Sequence, residues 1–273
     1  MRTGKKAFTL VELLVVISII ALLLAVLMPA LSRARLMAER VVDAAREKDA
    51  YTAFLAYSSM ENDGKLPIGA MGKGSTEDYT IYFTGTKWSM LNYVTEATWK
   101  SVKRHIKDTR TLMCNSFLKT KAVREDENFQ KGDGGPYVPK DSTWNPPAYK
   151  LGFNYHGGHF AEKWPTPRNT LTKTWVSPYR ITDKGNLVLF SCMITMSDSY
   201  YGTFIAHSAK GAITGKVAQD PKKLSLNSGS NITYLDGSVK WKALKDMERY
   251  HRAKNFGSNY AVDPGTVTSF GYW

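Results

Sequence analysis

"KKAFTLVELLVVISIIALLLAVLMPALSRAR" occupies residues 5–35, and its reading decides what the rest of the chain can be. From Leu13 to Ser32 it carries no charge. About 20 such residues rise about 30 Å as a helix, enough to cross the hydrocarbon core of a bilayer. Arg2, Lys5 and Lys6 precede the run. Basic residues on that side keep the N-terminus cytoplasmic and send the C-terminal remainder of the chain outward. Glu12 breaks the pattern. A carboxylate in hydrocarbon costs on the order of 2.5 kcal/mol or more, so it needs a partner.

Two ordinary readings leave Glu12 without one. A secretory signal peptide needs a short apolar core and a small-x-small cleavage site. Met28-Pro29-Ala30 and Ser32-Arg33-Ala34 serve poorly as such a site. A plain signal anchor has no use for the carboxylate either. The order of features is more specific than both: a short basic leader, Ala7, Phe8, then Thr9-Leu10-Val11-Glu12, the apolar run, and Pro29 within it. This stretch closely resembles the N-terminus of type IV prepilins and type II secretion pseudoprepilins. It departs from that family at Ala7, where glycine is usual.

The resemblance implies that a prepilin peptidase cuts between Ala7 and Phe8 and N-methylates Phe8. It implies that Glu12 pairs with the new α-amine of a neighbouring subunit, and that Pro29 kinks the helix. A singly methylated amine keeps its charge, so such an ion pair survives, and it relieves the cost of an unpaired carboxylate in lipid. The partners implied are the peptidase, other pilin or pseudopilin subunits, an inner-membrane assembly platform and membrane lipid. The location implied is the bacterial inner membrane, single-pass, with the N-terminus cytoplasmic and the globular domain periplasmic or extracellular.

The helix is expected to continue beyond the membrane. Ala34, Ala38, Val41, Val42, Ala45, Thr52, Ala53 and Ala56 recur at helical spacing, with Arg33, Arg35, Glu39, Arg40, Asp43, Arg46, Glu47 and Lys48 on the other side. The small-residue face is one that another surface can approach closely. "ENDGKLP" (61–67) supplies the stop through Asn62, Asp63, Gly64 and Pro67. The expected organisation is a cleaved leader at 1–7, a long helix at 8–62 with its membrane part at about 13–32, and a globular α+β domain at 63–273. The fold class expected is α+β and pilin-like: a long N-terminal helix packed on an antiparallel sheet.

"YTIYFTG" (79–85), "KLGFNYH" (150–156) and "NLVLFSCMI" (186–194) have the aromatic and β-branched content of strands. "ATWKSVKRHIKD" (97–108) reads as a short helix, and residues 128–150, dense in Gly, Pro, Asp and Asn, as a long loop. "NITYLDGSVKWK" (231–242) reads as a hairpin with a two-residue turn at Asp236-Gly237. That turn pairs Leu235 with Ser238, Tyr234 with Val239 and Ile232 with Trp241. The element resembles the histidine, nine residues, Asp-Gly element that ends many pseudopilin-like proteins, but Leu226 stands where the histidine would be.

The chain has 273 residues, 43% hydrophobic and 22% charged, with a net charge of +13, so a folded domain is expected rather than disorder. Lys100, Lys103, Arg104, Lys107 and Arg110 fall mostly on one helical face. They read as a solvated surface, and no nucleic-acid signature accompanies them. "GAMGKGST" (69–76) fails as a phosphate loop because Gly74 separates Lys73 from Ser75. His156 and His159 in "HGGH" lack a third ligand nearby, and His207 beside Ser208 reads as an ordinary surface pair. No cofactor is implied. Asp183, Asp198 and Asp263 are weak calcium candidates, since related major pseudopilins bind that ion near their C-terminus.

Cys114 and Cys192 are the two cysteines. Outside the cytoplasm they are candidates for a disulfide, with two buried thiols as the alternative. Two functional classes fit the chain. The first is a non-enzymatic pilin-like subunit that packs by its helix. The second is a monomeric anchored binding protein whose aromatics, Trp144, Trp164, Trp175, Trp241 and Trp273, take a glycan. No catalytic constellation supports an enzyme.

Overall fold

The computed structural model describes residues 9–67, 82–83, 93–119, 140–141, 144–145, 148–158, 177–197, 203–208, 213–215, 228–251 and 269–272. Helix α1 runs from Leu10 to Glu61 and continues through Pro29. Its stop lies in the predicted stretch. Asp63 and Gly64 turn left-handed (φ 51° and 70°), and the Gly64 N–H reaches back to the Ser58 carbonyl at 2.8 Å. The chain forms two compact units, Met1–Glu39 and Arg40–Trp273, and the division falls inside α1. In the first unit residues 9–35 are exposed throughout, and this part is long and apolar enough to cross a membrane.

The second unit is α+β. Helix α2 (Glu96–Lys103) begins at Thr95, whose hydroxyl accepts the Thr98 N–H at 3.0 Å. It buries Trp99 and Val102, with Trp99 stacked on Tyr149 at 5.1 Å. Helix α3 (Asn115–Leu118) is one turn long and starts directly after Cys114. The strands in chain order are β1 (Tyr82–Phe83), β2 (Tyr93–Thr95), β3 (Lys140–Asp141), β4 (Trp144–Asn145), β5 (Ala148–Lys150), β6 (Phe153–Tyr155) and β7 (Val188–Cys192). They continue with β8 (Ile194–Ser197), β9 (Thr203–Ile205), β10 (Ile213–Gly215), β11 (Gly229–Tyr234), β12 (Val239–Ala243), β13 (Arg249–His251) and β14 (Ser269–Tyr272). A four-stranded antiparallel sheet has the order β12-β11-β7-β6. The others are β10-β9-β8-β14-β13, β2-β5-β3 and β1-β4. Part of the predicted 128–150 loop is therefore strand, at β3, β4 and β5. Residues 128–139 lie outside the described residues.

The second half of α1 packs on the four-stranded sheet through Phe54. Its ring lies 4.7 Å from Tyr155 and meets Phe190 edge-on at 5.0 Å. Ala50, Ala53 and Phe54 share this core with Phe153, Leu189 and Cys192. The Tyr155 hydroxyl donates to the Pro67 carbonyl at 2.7 Å, which satisfies the one polar atom of that ring.

The face of α1 turned inward differs from the small-residue face read from sequence. Its buried residues are Asp43, Glu47, Ala50, Ala53, Phe54 and Ser58, while Val41 and Val42 are exposed. Two carboxylates thus point into the domain where the helical pattern placed them outside. The reason lies in what faces them, a sheet surface that carries polar side chains.

The hairpin register is also one residue away from the expected one. Thr233 pairs with Val239, Ile232 with Lys240 and Asn231 with Trp241. The turn holds three residues, Leu235, Asp236 and Gly237. Gly237 N–H bonds the Tyr234 carbonyl at 2.9 Å, and Gly237 itself is left-handed (φ 80°). This is a type I turn followed by a bulge glycine, the common three-residue loop, in place of the two-residue turn expected. A one-residue slip exchanges the faces of a strand. Asn231, Thr233, Val239 and Trp241 now share the helix side, and Ile232, Tyr234 and Lys240 the other.

Candidate functional site

Among the described residues, two places concentrate polar chemistry. The first is the start of α1. Ala7 and Phe8 lie outside the described residues. Thr9 is the residue before α1, and its hydroxyl accepts the Glu12 N–H at 3.2 Å. Glu12 Oε2 in turn accepts from the Thr9 N–H at 2.9 Å and from its hydroxyl at 2.8 Å. Thr9-x-x-Glu12 is therefore a capping box, which satisfies donors at the helix start reciprocally. Within a single chain this is the partner of the carboxylate.

The second place is internal, and the sequence did not announce it. Asp43 and Glu47 are one turn apart on α1 and fully buried. Against them lie Cys114 before α3, Cys192 at the end of β7, and His207 just past β9, all buried. Cys114 Sγ is 3.4 Å from Asp43 Oδ2 and 3.5 Å from His207 Nε2. His207 Nε2 is 3.2 Å from Cys192 Sγ and 3.5 Å from Asp43 Oδ2. Cys192 Sγ is 3.0 Å from Glu47 Oε1.

Each group is also held from behind. Asn115 N–H donates to Asp43 Oδ1 at 2.6 Å, Thr233 donates its hydroxyl proton to Glu47 Oε2 at 2.7 Å, and Ser116 Oγ sits 3.1 Å from His207 Nδ1. The ligand-type atoms of Cys114, Cys192 and His207 all fall within 4.8 Å of one another. These are the described residues able to hold a metal ion.

Burial governs the acidity of the cluster. It pushes the Asp43 carboxyl up to about 8 and the Glu47 carboxyl up to about 7. Burial also pushes Cys192 well above the ordinary thiol range, reinforced by its bond to Cys114 and by the Glu47 charge. For Cys114 burial is outweighed by the hydrogen bond from Cys192 and the charge of His207, and the thiol is held well below its ordinary range. His207 is raised, because Cys114 and Asp43 outweigh the burial that opposes its charge.

Several sequence expectations meet their outcome here. Cys114 and Cys192 are free thiols, so the candidate disulfide is not formed; each sulfur faces His207 and a carboxyl instead. Cys114 is the residue before α3. His207 is buried, not a surface residue. His156 of "HGGH" is buried with Nε2 3.0 Å from Ser191 Oγ, and His159 is outside the described residues. Asp183 Oδ2 accepts the Tyr179 and Arg180 N–H groups at 2.7 and 2.8 Å, a turn within its own loop. Asp198 and Asp263 lie outside the described residues. Asp236 Oδ1 accepts the Ser238 N–H at 2.8 Å, while the Gly237 carbonyl accepts from Lys48 Nζ at 2.6 Å.

The basic stripe is largely partnered. Lys100 pairs with Glu96 at 3.3 Å, Arg104 with Glu61, and Arg110 with Asp108. Such exposed pairs are a solvated face and contribute little.

No curated protein and no solved structure is significantly similar to the chain. Residues 2–28 do match a known family, the prokaryotic N-terminal methylation motif. That segment contains Ala7, Phe8, the Thr9–Glu12 capping box and most of the exposed apolar run. The chain therefore carries the N-terminal methylation motif characteristic of type IV pilins and pseudopilins, at the head of an α+β, pilin-like architecture.

Proposed function

We propose that the chain is a pilin-like or pseudopilin structural subunit. It is made as a precursor, cut by a prepilin peptidase between Ala7 and Phe8, and N-methylated on Phe8. It is then held in the bacterial inner membrane with its C-terminal domain periplasmic or extracellular. There it packs by its helix with other subunits, in a type II secretion pseudopilus or a related filament raised from an inner-membrane platform. The observation that carries this reading is the methylation motif at residues 2–28. The uninterrupted α1 beyond it and the exposed Met37, Val41 and Val42 support it, because they extend an apolar surface past the membrane run.

The test is the intact mass of membrane-extracted protein. The expected result is a chain beginning at Phe8 and carrying one methyl group. A chain beginning at Leu31 or Arg35 would mark an ordinary signal peptide and overturn the reading. Cysteines introduced along the exposed face of α1 then address assembly: crosslinked ladders are expected, and monomer alone would favour an anchored binding protein.

A further inference from the structure

We propose that Cys114, Cys192, His207 and Asp43 form a closed structural zinc site that clamps α1 to the four-stranded sheet. The ligand-type atoms of Cys114, Cys192 and His207 lie within 4.8 Å of one another, and Asp43 Oδ2 stands beside two of them as the candidate fourth ligand. With zinc at about 2.3 Å from sulfur and about 2.0–2.2 Å from nitrogen or oxygen, tetrahedral ligands stand about 3.6 Å apart for sulfur with nitrogen or oxygen, and about 3.4 Å for nitrogen with oxygen. Four of the six edges match: 3.5 and 3.2 Å from His207 Nε2 to the two sulfurs, 3.4 Å from Cys114 Sγ to Asp43 Oδ2, and 3.5 Å from His207 Nε2 to Asp43 Oδ2, while the two sulfurs lie within 4.8 Å of each other. Thiolate and imidazole ligands select zinc over the hard cations. With Asp43 as the fourth ligand and all four residues buried, such a site is structural and leaves no position for a substrate.

The surroundings are those of a metal centre. Ser116 occupies His207 Nδ1 and so presents Nε2 inward. The Asn115 N–H occupies Asp43 Oδ1 and leaves Oδ2 toward the sulfurs. Two thiolates and one carboxylate around a divalent ion leave one negative charge. Arg46 Nη1, 3.9 Å from Asp43 Oδ1 and donating to the Met113 carbonyl at 3.1 Å, faces that charge. Glu47 lies against Cys192 with its other oxygen held by Thr233, which makes it a positioning residue for that sulfur. The ligands come from α1, the start of α3, β7 and the residue pair after β9, so one ion ties four separate segments. Without an ion the same groups have to be accommodated as a buried hydrogen-bonded network of carboxyls, thiols and imidazole, the rival that the experiment must separate.

The experiment uses the full mature chain, extracted in detergent without chelator. Its metal content is measured by plasma mass spectrometry, and its zinc is then exchanged for cobalt and the absorption spectrum recorded. The expected result is about one zinc per chain, falling to below about a tenth in Cys192→Ala and His207→Ala, with about a 10–100-fold weaker affinity in Ser116→Ala. The cobalt form should show thiolate charge-transfer and tetrahedral ligand-field bands. Ser116→Ala keeps every ligand and guards against loss of metal by simple unfolding. Zinc-free wild-type protein with no cobalt bands would overturn the proposal. Undiminished zinc in Cys192→Ala and His207→Ala would do so as well, as would a wild-type mass short by two hydrogens, which marks a Cys114–Cys192 disulfide. None of these readouts depends on assembly, so the site and the filament reading stand or fall separately.

Discussion

Glu12 has a partner within the chain and, on the assembly reading, a second one outside it. In the single chain it closes a capping box with Thr9, which satisfies donors at the helix start. On the assembly reading, the amine of a neighbouring Phe8 takes the charge once that residue is exposed by cleavage. Glu12→Ala is therefore expected to leave leader removal intact but to abolish crosslinked ladders. Ladders of normal yield in that variant would dismiss the ion pair. Thr233 is a second residue whose role is a single bond. Thr233→Val keeps its shape but leaves Glu47 Oε2 buried without its donor. It should lower the stability of the domain by about 1–3 kcal/mol, read from the urea midpoint.

At the scale of elements, the hairpin and α1 hold one another. The Gly237 carbonyl accepts from Lys48, and the Leu235 carbonyl accepts from the Tyr51 hydroxyl at 3.0 Å. A Cβ on Gly237 would stand 2.5 Å from Lys48 Nζ and 2.9 Å from the Tyr51 ring, on a residue whose φ is already +80°. Gly237→Ala should destabilise by more than about 1 kcal/mol, read from the urea midpoint, and Lys48→Ala in the same chain should relieve the Nζ contact but neither the Tyr51 contact nor the strain. Beneath this, Gly152 performs a similar service for the site. Any side chain there would meet the Cys114 nitrogen at 2.7 Å, so the approach of β6 to the Cys114 segment depends on it. The packing of α1 on the sheet rests on Phe54, enclosed by Tyr155 and Phe190. Phe54→Ala should cost about 3–5 kcal/mol, measured by thermal unfolding, because those two rings cannot collapse into the space.

For the molecule as a whole, the proposed zinc site makes domain stability a function of metal. An ion that binds only the folded state at about 100 times its dissociation constant adds about 2.7 kcal/mol. The unfolding midpoint of the full chain should rise with added zinc and fall on chelation. In His207→Ala it should respond to neither. A midpoint indifferent to chelator in the wild-type chain would remove the linkage. The exposed apolar part of α1 stands outside this balance. On the proposed reading its solvent is lipid or another helix, so the two compact units would answer to different environments.

The N-terminal motif, the existence and end of α1, β6, β7, α2 and the presence of a hairpin at Asp236-Gly237, though not its turn length or register, were legible as sequence. Each is a local matter of periodicity, a cap or a left-handed position, decided within a few residues. The buried site was not legible. Cys114, Cys192 and His207 share no short spacing, and Asp43 and Glu47 looked like members of a charged helix face. Helical periodicity shows which residues share a face but not which face turns inward; here that depended on the sheet brought against it. The sheet in turn offered Thr233 and Asn231 on the face shared with Val239 and Trp241, because a three-residue turn moved β12 against β11 by one register position. Local sequence thus determined the anchor and the elements. The tertiary structure alone decided which polar groups were enclosed together, because burial of charge is settled by neighbours distant in the chain that have to satisfy it.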